Sequence, residues 1–391
     1  MPAYTLTAIT PDEVSTVARF IFHAFASPPD QAAQWMERAG HGNLRVLRED
    51  GRPVASLLRI PMGQYFGGRR LGLLGIAGVA VPPEHRGRGH ARRMMQMAMQ
   101  EGAAEGFELS GLYASTQSLY RQVGFEQTAY RFRIEIPVPT IGVQERGGSV
   151  TPLADSDWPA IRECYARFAQ KWDGLLDRGD YIWQRIHSMR GTDYTPFGVK
   201  DPSGGLSGYF FLNQQRKPES GRQNLELSDL VFNTADAGRR ILGLLNDFGM
   251  MADDVAFFAG PLHPALLLMP LQRYRLTSRD THLNRVLDFK RAVEARGYHP
   301  GLKARLEFEI HDDLVEINHG RWTVDVADGR AAAARGGHGA IRLSIRAFAP
   351  ALCGYLTFTQ LATLGWAEGS ADDLARADIF TGSTPWVPDM Y

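Results

Sequence analysis

The chain has 391 residues, which at roughly 150 residues per domain predicts two to three domains and excludes a single small binding module. Its 43 Lys+Arg balance 43 Asp+Glu, so it lacks the positive excess that a phosphate backbone demands, and no nucleic-acid partner is expected. Cys164 and Cys353 suggest neither a disulfide framework nor a zinc site. The longest apolar runs, such as Leu71–Val81, fall short of the ~20 residues of a membrane span, and the N-terminus does not read as a signal peptide, so a soluble, cytoplasmic protein is expected.

In chain order, amphipathic periodicity predicts helices over Pro11–Phe25 and Asp30–Ala39, followed by strands at Leu44–Arg48 and Val54–Ile60 with Gly51 turning between them. Leu71–Val81 (LGLLGIAGVAV) reads as a central strand buried on both faces, ended by Pro82 and Pro83. Ala91, Met94, Met95, Ala98 and Gly102 share one face of a helix that starts at Gly89 and stops at Gly106. Phe107–Ala114 resumes as strand.

A Gly-rich, charged break at 141–149 marks the first domain boundary. Beyond it Asp155 or Asp157 caps a helix through Cys164 to Trp172. Residues 150–285 then repeat the first domain's order of elements, with a hairpin across Asp201–Gly205, a strand at Leu225–Phe232 and a helix at Gly238–Phe248. A third segment opens with a helix at Val286–Arg296, continues as strands at Ala304–His311, Leu314–Asn318 and Arg321–Val326, and ends in helices from Ser344 to Ala377. The expected domains are therefore 1–148, 149–285 and 286–391, in a mixed α+β fold.

The most informative string is Val79-Ala80-Val81-Pro82-Pro83-Glu84-His85-Arg86-Gly87-Arg88-Gly89-His90-Ala91, a buried strand running into a glycine-rich turn that opens a helix. Unpaired N–H groups and the helix dipole make such a turn an anion site, and Gly87 and Gly89 remove side chains that would block a pyrophosphate. It fits neither the P-loop nor the GxGxxG pattern. Arg86-x-x-Gly89-x-Ala91 resembles the acetyl-CoA signature of the GCN5-related N-acetyltransferases (GNAT). That resemblance implies main-chain bonds from Val79, Ala80 and Val81 to pantetheine, and a phosphate cradle over Gly87, Arg88, Gly89, His90, Ala91 and Arg92 with Arg86; taken alone, the arginines also read as a solvated basic face. A second string, LYASTQSLYRQVGF at 112–125, resembles the segment that sets a tyrosine near the thioester sulfur. Tyr120 is then the general acid, with Ser115 and Thr116 near the reactive end of the cofactor; its plainer reading is an aromatic pinning helix to sheet.

Leu71–Val81 contains no Asp, Glu or His, so the base that deprotonates the amine must come from elsewhere. The acid-free strand, the Ala114–Tyr120 spacing, the helix VLDFKRAVEARGY and the hairpin EINHGRWTVDVADG together resemble the Eis (enhanced intracellular survival) family over essentially the whole chain. The resemblance implies two GNAT domains with mixed sheets, the second degenerate, then a sterol-carrier-like domain whose C-terminal carboxylate returns to the first domain as base. Here that carboxylate belongs to Tyr391, and the tail's Pro385, Trp386 and Pro388 suit a buried, stiff terminus. Relatives build the acceptor pocket on the first helices, where Phe25 and Trp35 lie; as residues of an amphipathic stripe they also fit a core.

The expected reaction is acetyl transfer from acetyl-CoA to a primary amine (an aminoglycoside, a polyamine or a lysine-like acceptor) without a metal, in a homo-oligomer for which family habit suggests a hexamer. A carrier of lipid or small ligands is the alternative, through the third domain.

Overall fold

The computed structural model describes residues 2–145, 149–189 and 191–391, with the backbone alone at residue 278. The expected boundary at 148/149 therefore lies partly outside the described residues. The chain forms two compact units: Met1–Thr128, Thr281–Ser383 and Tyr391 make one, Ala129–Asp280 and Thr384–Met390 the other.

In the first unit β1 (Tyr4–Ala8), β2 (Leu44–Glu49), β3 (Arg52–Phe66) and β4 (Arg69–Ala80) are antiparallel neighbours in that order, and β5 (Leu109–Tyr113) joins β4 in parallel. Strand Arg275–Val286 completes the sheet antiparallel to β5, with His282 opposite Tyr113 and Val286 opposite Leu109. Helices α1 (Val14–Phe25) and α2 (Pro29–Ala39) lie between β1 and β2 in the chain, and α3 (His90–Ala104) makes the crossover that a parallel β4–β5 pair requires. Of the apolar face predicted for α3, Met94, Met95, Ala98 and Gly102 are buried and Ala91 is half-buried; Met94, Met95 and Ala98, joined by Met99, pack with Leu57, Leu74 and Ile76 of the sheet and with Tyr120 and Phe125. Each buried methionine of that face contributes about 1.5–3 kcal/mol over an exposed one.

The second unit repeats this order. Strands Val150–Pro152, Thr195–Lys200, Leu206–Arg216 and Gln223–Phe232 are antiparallel neighbours, Ala252–Ala259 joins in parallel, and residues 132–137 close the edge antiparallel. The closing strand, Glu126–Pro137, is the chain's sixth, whereas the strand closing the first unit comes from the end of the repeat. The two halves have thus exchanged their last strands, which no local pattern announces.

Tail residues Thr384–Met390 belong to the second unit. Trp386 is buried with its ring 5.6 Å from His263 and 6.5 Å from Phe168. Asp389 forms a buried ion pair, 2.8 Å, with Arg178, which also pairs at 2.6 Å with Asp229. Arg131 and Arg185 donate to the carbonyls of Pro388 (2.7 Å) and Met390 (2.8 Å).

Residues 286 onward differ from expectation in two places. Val286 ends a strand, and the helix begins at Phe289 behind Asp288, whose side chain accepts from the Arg291 N–H. Leu314–Asn318 is not a strand: Asp312 Oδ1 accepts the amides of Leu314 (3.0 Å) and Val315 (3.2 Å), curling the backbone into a 3-10 turn at Glu316–Asn318. The third segment's own five-stranded sheet also contains Arg330–Arg335, an alanine-rich edge strand with no β-branched residue to signal it.

Candidate active site

The first unit's sheet opens around β4. On one edge, Ser56–Leu58 of β3 faces Ala77–Ala80 of β4, so β4 carries an extra residue, with Gly78 at φ +56°. A Cβ on Gly78 would stand 2.6 Å from Cη2 of Trp35, so the indole lies directly against this bulge. On the other edge β4 pairs with β5 only from Leu73–Leu109 to Gly75–Gly111, although β4 continues to Ala80 and β5 to Tyr113. Beyond the two glycines the strands part, and Val79, Ala80 and Val81 follow on an edge with no β5 ladder partner.

At the end of that edge Gly87 (φ +74°) and Gly89 (φ +79°) form the turn into α3, and a Cβ on either would meet no atom within 4 Å. Gly89 is the N-cap and brings no side chain, and the first intrahelical bond is Arg93 N–H to Gly89 O, 3.0 Å. The N–H groups of His90, Ala91 and Arg92 therefore lack intrahelical partners, the geometry that holds an anion. An open cradle of main-chain donors fits the pyrophosphate of acetyl-CoA. In the second unit the equivalent helix, Ala235–Asp247, is capped by Thr234, whose side chain accepts from Ala237 N–H, and a Cβ on Gly238 would clash with Leu268 and Phe232. That helix start is closed.

The individual side chains around the cradle differ in what they can offer. Arg86 is committed to the protein, donating to the carbonyls of Val81 (3.2 Å) and His23 (3.1 Å) and so tying the turn to the end of α1. Arg88 and Arg92 are exposed, while His90 is buried beneath the turn with its ring 5.8 Å from that of His85, its pKa lowered by burial. His90 thus offers the site its amide, not its imidazole. Ser115 and Thr116 are exposed just after β5, Thr116 Oγ1 lying 3.1 Å from Ser118 Oγ.

Tyr120, on α4 (Gln117–Arg121), is 6% exposed, edge-on to Phe125, and burial pushes its phenol up to about 12. Tyr391 occupies the fork itself. Its ring lies 5.8 Å from that of Tyr113, a Cβ on Gly75 would stand 3.1 Å from its Cε2, one on Gly111 3.0 Å from its hydroxyl, and that hydroxyl is 2.6 Å from His282 Nε2. Trp35 is at the bulge, whereas Phe25 is 53% exposed at the end of α1.

Three family models cover most of the chain: acetyltransferase (GNAT) domains at 5–128 and 174–287, and a sterol carrier protein domain at 289–388. The chain is 27% identical to an uncharacterized N-acetyltransferase of Streptomyces griseus, over 98% of both chains. It is 24% identical to the N-acetyltransferase Eis of Mycobacterium tuberculosis, over 84% of both. A GCN5-related N-acetyltransferase structure from Anabaena variabilis superposes over 100% of both chains with a TM-score of 0.94 at 28% identity.

The chain is an Eis-like N-acetyltransferase. The mixed α+β architecture, with two GNAT domains before a sterol-carrier domain, is that of the Eis-like enzymes. No helix among the described residues of this enzyme is long and apolar enough to cross a membrane. Tyr113, His282, Gly75, Gly111 and Gly78 escape a reading of the sequence as parts of the site. Isolated glycines inside a strand signal close approach by a neighbour, and Gly75 and Gly78 carried that signal.

Proposed function

We propose that this enzyme transfers the acetyl group of acetyl-CoA to a primary amine by direct attack, with Tyr120 as general acid and the α-carboxylate of Tyr391 as general base. The observation that carries the reading is the seat of Tyr391 in the fork where β4 and β5 part. Acetyl-CoA supplies the thioester carbonyl, its pantetheine along Val79, Ala80 and Val81, its phosphates on the amides from Gly87 to Arg92, and its reactive end toward Ser115 and Thr116. Trp35 and Phe25 border the acceptor.

An alkyl amine with a pKa near ~10.4 arrives as ammonium, and a terminal carboxylate, near ~3.3–3.7 in water, is a weak base for it. Its negative charge draws a cation into the fork. The carboxylate takes one proton from the ammonium, the freed amine forms the N–C bond, and the C–S bond breaks as a second proton leaves the nitrogen. Tyr120 gives its hydroxyl proton to the departing sulfur and takes the second amine proton in its place. With the phenol at about 12 and a thiol near ~8.5, the phenol ends protonated because it is resupplied by the nitrogen as the thiol leaves. Holding both reactants at one fork supplies much of the acceleration.

We place the domain limits at 1–148, 149–285 and 286–391, the protein in the cytoplasm, and its assembly as a homo-oligomer. The carrier reading is disfavoured by a cavity of about 350 Å³ in the third segment, where Arg305, Glu307, Asp373 and Arg376 present charge beside Leu306, Ala340 and Ile341. Thiol release from acetyl-CoA against aminoglycosides, polyamines, lysine peptides and arylamines tests the proposal. Turnover above the acceptor-free rate is expected with at least one class, and silence across the panel overturns it.

A further inference from the structure

The last residue of a chain ordinarily frays, because it has one covalent neighbour and little to pack against. Tyr391 is held instead. Strand Arg275–Val286 sets His282 opposite Tyr113, the two rings 5.2 Å apart and edge to face, and both rings flank that of Tyr391. Gly75 and Gly111 leave the space it fills. The hydroxyl of that ring lies 2.6 Å from His282 Nε2.

We propose that His282 is a positioning residue for the transfer, which by holding the Tyr391 hydroxyl fixes where the terminal carboxylate stands. The proposal rests on the carboxylate reading above and adds what aims that group. Ring and carboxylate branch from the same Cα, so seating the ring against Tyr113 and tethering its far end leaves the carboxylate little freedom beyond rotation about its own bond. His282 is fully buried, and burial drives its pKa down to about 3, so the imidazole is neutral wherever the enzyme works. A neutral imidazole has one donor and one acceptor nitrogen. With the proton on Nδ1, Nε2 accepts from the phenol, and the contact adds no charge that would neutralise the base or repel a cationic amine. A terminal phenylalanine would fill the same space without the tether.

The test is a cycle of Tyr391→Phe, His282→Leu and the double variant, with His282→Gln as the conservative partner and unfolding followed for each. Tyr391→Phe keeps the carboxylate and removes one oxygen; kcat is expected to fall about 5- to 50-fold, with KM for acetyl-CoA within about twofold. His282→Leu should match it, the double variant should be no worse than either single by more than about twofold, and His282→Gln should restore much of kcat. Wild-type kcat in Tyr391→Phe, or additive losses in the double variant, overturns the proposal. If His282→Leu does not fold, Tyr391→Phe alone decides. A chain extended beyond Tyr391 separates this from the base assignment. Full activity there removes the carboxylate role, whereas an inactive extended chain beside a fully active Tyr391→Phe removes only the tether.

Discussion

Arg285 Nη2 stands 2.8 Å from Oδ1 and 2.9 Å from Oδ2 of Asp312, with both side chains buried. Arg285 is on the strand that closes the first unit's sheet, and its Nη1 also donates to the carbonyl of Val123, 2.7 Å away, beside the turn after α4. Burial pulls the guanidinium's pKa down and Asp312 pulls it back. Asp312→Ala would leave that charge buried without its counter-ion, a change worth about 3–5 kcal/mol. Asp312 also shapes the 3-10 turn, so the variant should unfold at markedly lower urea. Wild-type stability would show that water reaches Arg285.

Tyr120→Phe removes the proposed proton donor to the departing sulfur and leaves the ring that packs on Phe125. We expect kcat to fall about 10²-fold or more, the range of a lost acid–base group, with acetyl-CoA affinity unchanged in a calorimetric titration. Loss of affinity instead would assign the side chain to the core.

What was legible in the sequence was local. The face of α3, the glycines of its approach and the acid-free β4 follow from residues that are neighbours in the chain. The fork was not legible, because Tyr113, His282 and Tyr391 meet only after the closing strands are exchanged between the two halves. Nor did the pattern of Leu314–Asn318 disclose that Asp312 would capture its amides.

The buried histidines set an acid limb. Burial holds His282 down to about 3 and His263 to about 4, while the unfolded chain protonates both near ~6.5. Unfolded protein binds more protons between those limits, so stability falls as pH drops below ~6.5, by about 2 kcal/mol per histidine at pH ~5. Carboxylates with lowered values, such as Glu13, lose their contribution only at more acid pH. Urea midpoints should therefore slide between pH ~7.5 and ~5, and His263→Asn should flatten the slope. A level profile would mean these rings are protonated in the fold.

Gly89 and Gly204 make a matched pair, since both have positive φ, +79° and +86°, and a Cβ on either would meet no atom within 4 Å. Alanine at either site costs about 1–2 kcal/mol of backbone strain without a clash. They differ in what faces the new methyl: Gly204 turns a hairpin between Thr195–Lys200 and Leu206–Arg216, whereas Gly89 caps α3 where the amides of His90 to Arg92 have no intrahelical partner. Both alanine variants should lose similar stability in urea. Only Gly89→Ala should weaken acetyl-CoA binding, by about 10-fold or more, because a methyl at the cradle holds a phosphate away from the helix N-terminus. Equal acetyl-CoA affinity in the two variants would mean that the open turn before α3 is not where the pyrophosphate rests.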